Sequence, residues 1–495
     1  MRRSGILLPI SSLPSDYGIG ALDRQAYAFI DVLKAAGQSC WQILPIGPTS
    51  YGDSPYQSFS TFAGNPYYIS LDVLIGKGYL TKEECMSVDF DGHPNYIEYE
   101  KIYKGRFALL KLAYKRSCVQ EDAGFHYYIE QNAGWLTDYA FFMAIKDDYN
   151  GLSYLEWEDD IRKREPEAME KYRERLQDEI QFYMYLQYEF DNQWNNIKAY
   201  ANENGIQIIG DIPIYVALDS ADTWANPELF QLTDELEPIA VAGCPPDGFS
   251  ALGQLWGNPL YQWDYHKETK YDWWIKRIKN CSKWYDFIRI DHFRGFDEYY
   301  SIPFGHKDAV KGHWERGPGI DIFQTLKNEL GNLNIIAEDL GFLTDSVRKL
   351  LADTEFPGMK VLQFAFDTRE ESDYMPHNYE RNCVVYTGTH DNETTKGWIE
   401  NLPEWDKKVV LKYMDRKEET DPDKLAWHLI CMAMQSVADL CMIPAWDYLL
   451  LGNEARMNKP STLGDNWKWK MSKDAFTPEL IQRIFSITKI YSRLT

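Results

Sequence analysis

The chain has 495 residues, 44% apolar and 26% charged, with a formal net charge of −23. That length holds one large domain with insertions or two to three domains, and 34 Tyr, 23 Phe and 17 Trp exclude a disordered composition. The acidic excess argues against nucleic acid, which needs a basic surface, and against anionic lipid, while a neutral ligand such as a sugar is unaffected.

Short apolar runs alternate with helical patterns along the chain. "GILLPI" (5–10) reads as a first strand, followed by the helical "RQAYAFIDVLKAAG" ending at Gly37. "CWQILPI" (40–46) is the second. A charged segment, 70–180, then carries helical periodicity and reads as a mainly helical insertion whose last helix returns to the main fold. "IQIIGDI" (206–212) is the third strand. A second insertion, 213–285, holds "AVAGCPPDGFSALGQLWGNPLYQW", whose Pro, Gly and aromatic mix reads as an ordered, substrate-covering loop. "FIRI" (287–290) and "NIIAE" (334–338) follow, then the helical "DSVRKLLADT" with Asp345 as its expected N-cap. "KVLQFAF" (360–366), "CVVYTG" (383–388) and "CMIPAW" (441–446) complete the set. Near-continuous apolar runs suit parallel strands covered on both faces. Eight such units predict a (β/α)8 TIM barrel with insertions around its C-terminal face. A doubly wound sheet is the alternative, without the glycine-rich nucleotide loop that usually goes with it.

Active sites of this fold sit where strands end. The predicted third strand ends in Asp211, the fourth in Asp291-His292, the fifth in Glu338-Asp339, the sixth in Asp367 and the seventh in His390-Asp391. Any one of these acids alone reads as readily as a helix N-cap, and either histidine as a structural one. Arg289 is harder to explain that way. Two positions before Asp291 on a strand, it faces the same side. A guanidinium in a barrel interior must be paired, so Arg289 is expected to hold Asp291 ionised. Carboxyls converging in an aromatic-rich cleft suit glycoside chemistry, in which one ionised carboxylate attacks and one protonated carboxyl donates. Asp291 fits the nucleophile, Glu338 after its apolar strand fits the acid, and Asp391 with His390 fits sugar hydroxyls. A glucan hydrolase and a catalytically dead glucan-binding barrel remain open at this point.

The eight cysteines are scattered, with no CxxC pair and no Cys/His cluster, so neither a disulfide framework nor a metal site is expected. The opening apolar run is broken at Pro9, too short for a signal segment, and no stretch is long enough to span a membrane. A cytoplasmic enzyme is the expectation.

"IRIDHFRGF", "IIAEDLG" and "TGTHDN", in this order, resemble the short conserved regions of the α-amylase superfamily. "YGDSPYQSFSTFAGNPYYISLD", "GDIPIYVALDSADTWANPELF", "PPDGFSALGQLWGNPLYQW" and "NEARMNKPST" narrow the resemblance to the 4-α-glucanotransferases called amylomaltases or disproportionating enzymes. It runs from "ILLPISSLPSDYGIG" to "NWKWK", so residues 1–495 read as a single catalytic domain. The resemblance implies a retaining enzyme that moves segments between α-1,4-glucans and maltooligosaccharides, without metal or cofactor. It implies Asp291 as nucleophile, Glu338 as acid/base and Asp391 as transition-state stabiliser, flanked by Arg289 and His390. Tyr56, Asp211, Gln254, Trp256 and Asp367 match donor and acceptor subsites; Ser54, Asp247 and Asn458 match further contacts. Tyr51 matches an aromatic that binds glucan outside the active site. Gly248 stands where the family varies, and Ala251-Leu252 precede Gly253 where a Thr is often found. No extra domain precedes "ILLPI", as in the short bacterial type.

Overall fold

The computed structural model describes the chain except residues 1, 51, 91–92, 247–249, 342, 368–371 and 417. Eight short strands form one sheet: β1 (Arg3–Leu7), β2 (Cys40–Gln42), β3 (Gln207–Pro213), β4 (Phe287–Asp291), β5 (Ile335–Ala337), β6 (Gly358–Val361), β7 (Cys383–Tyr386) and β8 (Leu440–Pro444). The order is β6-β7-β8-β1-β2-β3-β4-β5, and every pair is parallel. The ends of the sheet meet. Ala337 N donates to Pro357 O at 2.9 Å, and Met359 N donates to Asp339 Oδ1 at 2.6 Å. This is the (β/α)8 barrel that the alternation predicts, with all eight expected strands present.

The barrel is filled from its own strands. Cys40, Ile209, Ile336, Met359, Val361, Val384, Tyr386, Leu440 and Met442 form one buried cluster, as alternate residues of a small barrel must. Gly210 in β3 is required by a close approach: a Cβ there would lie 2.2 Å from the Tyr285 ring. The strands are shorter than their apolar runs. β6 stops at Val361 and turns through Leu362–Phe364, so Asp367 stands on the following loop and not at a strand end. Leu362, Ala365 and Phe366 are buried beneath neighbouring loops, and hydropathy does not separate that from strand burial.

Helices fill the long connection between β2 and β3, chief among them Tyr99–Ser117, Ala123–Asp148 and Gln177–Glu203. The last returns to the barrel and packs on helix Arg24–Ala35, which Asp23 caps by accepting from Gln25 N. Helix Asp345–Thr354 is capped by Thr344, not Asp345; the aspartate sits in the first turn, where its charge complements the helix dipole.

The region 213–285 is less irregular than expected. Ala240–Cys244 and Gln254–Pro259 are strands, and they join Glu298–Pro303 and His313–Arg316 in a four-stranded antiparallel sheet. Gln254–Pro259 pairs with the nearby Ala240–Cys244, but the other partner of Ala240–Cys244 is the distant Glu298–Pro303, beyond the reach of local patterning. Most of the aromatic content is core: Trp41, Trp194, Trp224, Trp274 and Trp446 are fully buried. All eight cysteines are free thiols, five of them buried. No described helix is long and apolar enough to cross a membrane.

Candidate active site

Register brings the charged residues together. Asp211 on β3 pairs with Arg289 on β4, and Pro213 with Asp291. Ile290 pairs with Ala337, which sets Glu338 beside Asp291 on the next strand. Residues paired across parallel strands share a face, and Arg289 and Asp291 are two apart, so these groups project together at the C-terminal rim.

Arg289 is the hub. Its Nη1 donates to both oxygens of Asp211, at 2.8 and 2.7 Å, and its Nη2 lies 3.0 Å from Asp291 Oδ1. The side chains of Arg289 and Asp211 are 3% and 0% exposed; that of Asp291 keeps 29%. The expected contact of Arg289 with Asp291 is present, but its closest partner is one the sequence did not name, the fully buried Asp211. The expected depression of Asp291 is corrected. Burial pushes its carboxyl up to about 6; Arg289 opposes that, while the charges of Asp211 and Asp391 add to it. The open edge of the side chain lets solvent moderate the push.

Glu338 is lifted further. Burial, reinforced by the charge of Asp291, raises it to about 8, against Arg289 and two backbone donors. Those donors are Leu340 N, 2.8 Å from Oε1, and His292 N, 2.7 Å from Oε2. His292 can aim its N–H this way because it adopts the left-handed conformation, with φ 56°. Between the two values Asp291 is ionised and Glu338 protonated, the separation of roles that an acid and a nucleophile need.

The β7 loop supplies the opposite wall. Asn392 Oδ1 accepts from Thr389 N (2.8 Å) and Thr389 Oγ1 (2.9 Å), forming the turn that presents His390 and Asp391. His390 Nε2 lies 3.4 Å from Asp391 Oδ2, and Asn458 Nδ2 donates to Asp391 Oδ1 at 2.6 Å. Tyr56 joins the two walls. Its hydroxyl donates to Asp211 Oδ2 at 2.9 Å, and its ring stacks on His390 with centroids 5.1 Å apart. On the other side Trp256 meets the His292 ring edge-on at 4.8 Å, and its Nε1 donates to Gln254 Oε1 at 3.0 Å.

Ser54 and Asp367 stand on loops. Ser54 Oγ accepts from Tyr56 N at 3.3 Å, a bond within the turn that carries Tyr56. Asp367 lies half-buried on the loop after β6. Asp339 spans the β5–β6 seam. Tyr51 and Asp247 lie outside the described residues. Two residues escaped sequence reasoning. Buried Asp447, just past β8, accepts from Thr387 Oγ1 at 2.5 Å and Thr395 N at 2.7 Å and so braces the β7 loop. Its position after the eighth apolar run was the available signal. Trp467 packs on both Tyr56 and His390, at 5.7 and 5.9 Å, with no local pattern to announce it.

Adjacent carboxyls of unequal acidity at the C-terminal rim of such a barrel define an enzyme acting on glycosidic bonds. A family model described as 4-alpha-glucanotransferase matches residues 8–476. The 4-alpha-glucanotransferase of Clostridium butyricum is 48% identical over 486 residues, covering 98% of this chain and 99% of that protein. That of Streptococcus pneumoniae is 47% identical over 496 residues, covering 100% and 98%. The solved amylomaltase from Streptococcus agalactiae in complex with acarbose superposes with a TM-score of 0.97, at 43% identity over all of both chains. The chain belongs to the 4-alpha-glucanotransferase family, which favours glucan transfer over the hydrolase alternative.

Proposed function

We propose that the protein cuts an α-1,4-glucan or maltooligosaccharide at the barrel rim and passes the donor segment to the 4-hydroxyl of a second glucan with retained configuration. In the first step a carboxylate oxygen of Asp291 attacks C1 of the donor glucose. The C1–O bond breaks, and Glu338 gives its proton to the departing O4. In the second step Glu338, now a carboxylate, takes the proton of the acceptor 4-hydroxyl. That oxygen attacks C1 and displaces Asp291. Asp391, held by Asn458 and His390, takes hydroxyls of the distorted sugar and its developing positive charge. Asp211 and Arg289 fix the nucleophile. Tyr56, Asp211, Gln254, Trp256 and Asp367 line the donor and acceptor subsites; Ser54 supports the Tyr56 turn, and Asp247, Asn458 and Tyr51 add further glucan contacts.

The observation that carries this reading is the buried Arg289 joining Asp211 to Asp291, with the more basic Glu338 one strand away. Neighbouring strands lie about 4.8 Å apart, close to the roughly 5 Å between carboxyls that retaining chemistry uses. That the S. agalactiae amylomaltase was solved in complex with acarbose supports a glucan-like ligand for this fold. Residues 1–495 act as one catalytic domain with two insertions beside the rim, and the enzyme works in the cytoplasm on neutral sugars.

Incubation with maltotriose tests the reaction. Glucose together with maltotetraose and longer products is expected at nearly constant reducing ends. Only shorter products with rising reducing ends would overturn transfer. The pH profile tests the roles. With a neutral substrate, kcat/KM should rise through about 6 as Asp291 ionises and fall through about 8 as Glu338 loses its proton. A profile lacking the alkaline limb would remove Glu338 as the acid.

A further inference from the structure

Trp467 adopts φ 66°, in the left-handed region. Glycine, or sometimes asparagine, fills that region without penalty; for a bulky aromatic it is a genuine outlier. The side chain is 6% exposed, so this is not a frayed loop tip. Strain of this kind persists only where the surroundings over-determine it, and the surroundings here do.

The strand-like run 467–471 is pinned from both sides. Trp467 N donates to Met457 O at 2.6 Å. Trp467 O accepts from the hydroxyl of partly buried Tyr99 at 2.8 Å. Ile97 N donates to Lys468 O (2.8 Å), Lys470 N to Asn95 O (2.7 Å) and Met471 N to Ser12 O (2.9 Å). Ser12 Oγ donates to Trp469 O at 2.8 Å. Three separate parts of the chain thus hold one strained residue in place. A turn needed only for chain direction would use glycine at that position. What tryptophan adds is its ring.

The ring faces the site. It packs against Tyr56 at 5.7 Å and His390 at 5.9 Å, while those two rings stack on each other at 5.1 Å. Tyr56 bonds Asp211, the anchor of Arg289, and His390 adjoins Asp391. A triangular cluster of three rings therefore joins both walls of the cleft, with Trp467 tilted at 46° to Tyr56 and 39° to His390. We propose that Trp467 is a positioning residue: its strained backbone presses the indole against Tyr56 and His390 and so sets the aim of Asp391 and of the Asp211–Arg289 pair. It touches no reacting atom in this reading. The proposal rests on the roles assigned above to Asp291, Glu338 and Asp391.

Maltotriose disproportionation by Trp467→Ala, Trp467→Gly and Trp467→Phe tests it, alongside thermal melts and Asp291→Asn. Misplacement of a group by about 1 Å costs about a hundredfold, so Trp467→Ala should lose kcat by about that factor with KM little changed. Trp467→Phe should recover most of the loss, because a ring is restored. Trp467→Gly suits the backbone and should melt no lower than Trp467→Ala, yet remain as slow. A Trp467→Ala enzyme within twofold of wild-type kcat, or a Trp467→Gly enzyme whose activity returns with its stability, would overturn the proposal. An inactive Asp291→Asn beside an unimpaired Trp467→Ala would overturn this proposal alone. An active Asp291→Asn would overturn the underlying assignment and this proposal with it.

Discussion

Asp291→Asn should abolish transfer, by about 10⁴-fold or more in kcat, while Glu338→Gln should cost about 10²–10⁴-fold. The two losses differ in kind. An amide in place of Asp291 has no carboxylate to form the bond to C1, so no change of substrate restores the first step. Glu338→Gln lacks only the proton for the leaving oxygen. A donor whose leaving group needs no protonation, such as an α-glucosyl fluoride, should regain its first step with Glu338→Gln and not with Asp291→Asn. Equal rescue of both variants would reverse or dissolve the assignment.

Glu338→Gln carries a second expectation, read by melting. The folded protein holds the Glu338 proton up to about 8, above the ordinary glutamate value of about 4.3. Between those values the folded state binds more protons than the unfolded one, so the Glu338 contribution to stability falls as pH rises. The glutamine has no such fall, although it leaves one of the two backbone N–H groups that now bond Glu338 without a carboxylate oxygen. Tm of the variant relative to wild type should therefore climb between about pH 4 and about pH 8 and level off above. A gap that does not vary with pH would mean that Glu338 titrates normally.

Much of this site was legible because its parts sit at the ends of apolar runs. Parallel strands buried on both faces announce themselves by composition, and a carboxylate that follows such a run has nowhere to go but the rim. That is how Asp211, Asp291, Glu338 and Asp391 are found. The same reasoning misplaced Asp367, because buried turn residues after β6 look like more strand. It also gave Arg289 a single partner. Spacing of two shows that Arg289 faces Asp291, but only the β3–β4 register shows that Asp211 stands opposite and takes the larger share of the guanidinium. The antiparallel sheet beside the rim and the Trp467 ring cluster depend on residues far apart in the chain, so no window of sequence contains them.

Arg289→Met gives the second large effect, and its size comes from what the arginine leaves behind. Asp211 is fully closed to solvent, and without the guanidinium its remaining side-chain partner is the Tyr56 hydroxyl. Breaking a buried ion pair from one side costs about 3–5 kcal/mol, so a clear drop in denaturant midpoint is expected. Asp291 loses the cation that most opposes its rise, so its carboxyl should move above about 6 and carry the acid limb of kcat/KM to higher pH. Turnover should fall more than affinity, since the lost charge acted on the ionised nucleophile. Asp211→Asn is predicted to act in the opposite direction on the same limb. It removes a charge that raises Asp291 and leaves Arg289 free to serve Asp291 alone, so the acid limb should move to lower pH. Stability alone would not separate the two residues, because removing either one breaks the same buried ion pair. Opposite displacements of one limb would, since only electrostatic partners of Asp291 with opposite charge can produce them. If both variants shift the limb the same way, the Asp211–Arg289 pair acts on the fold around Asp291 and not on its charge.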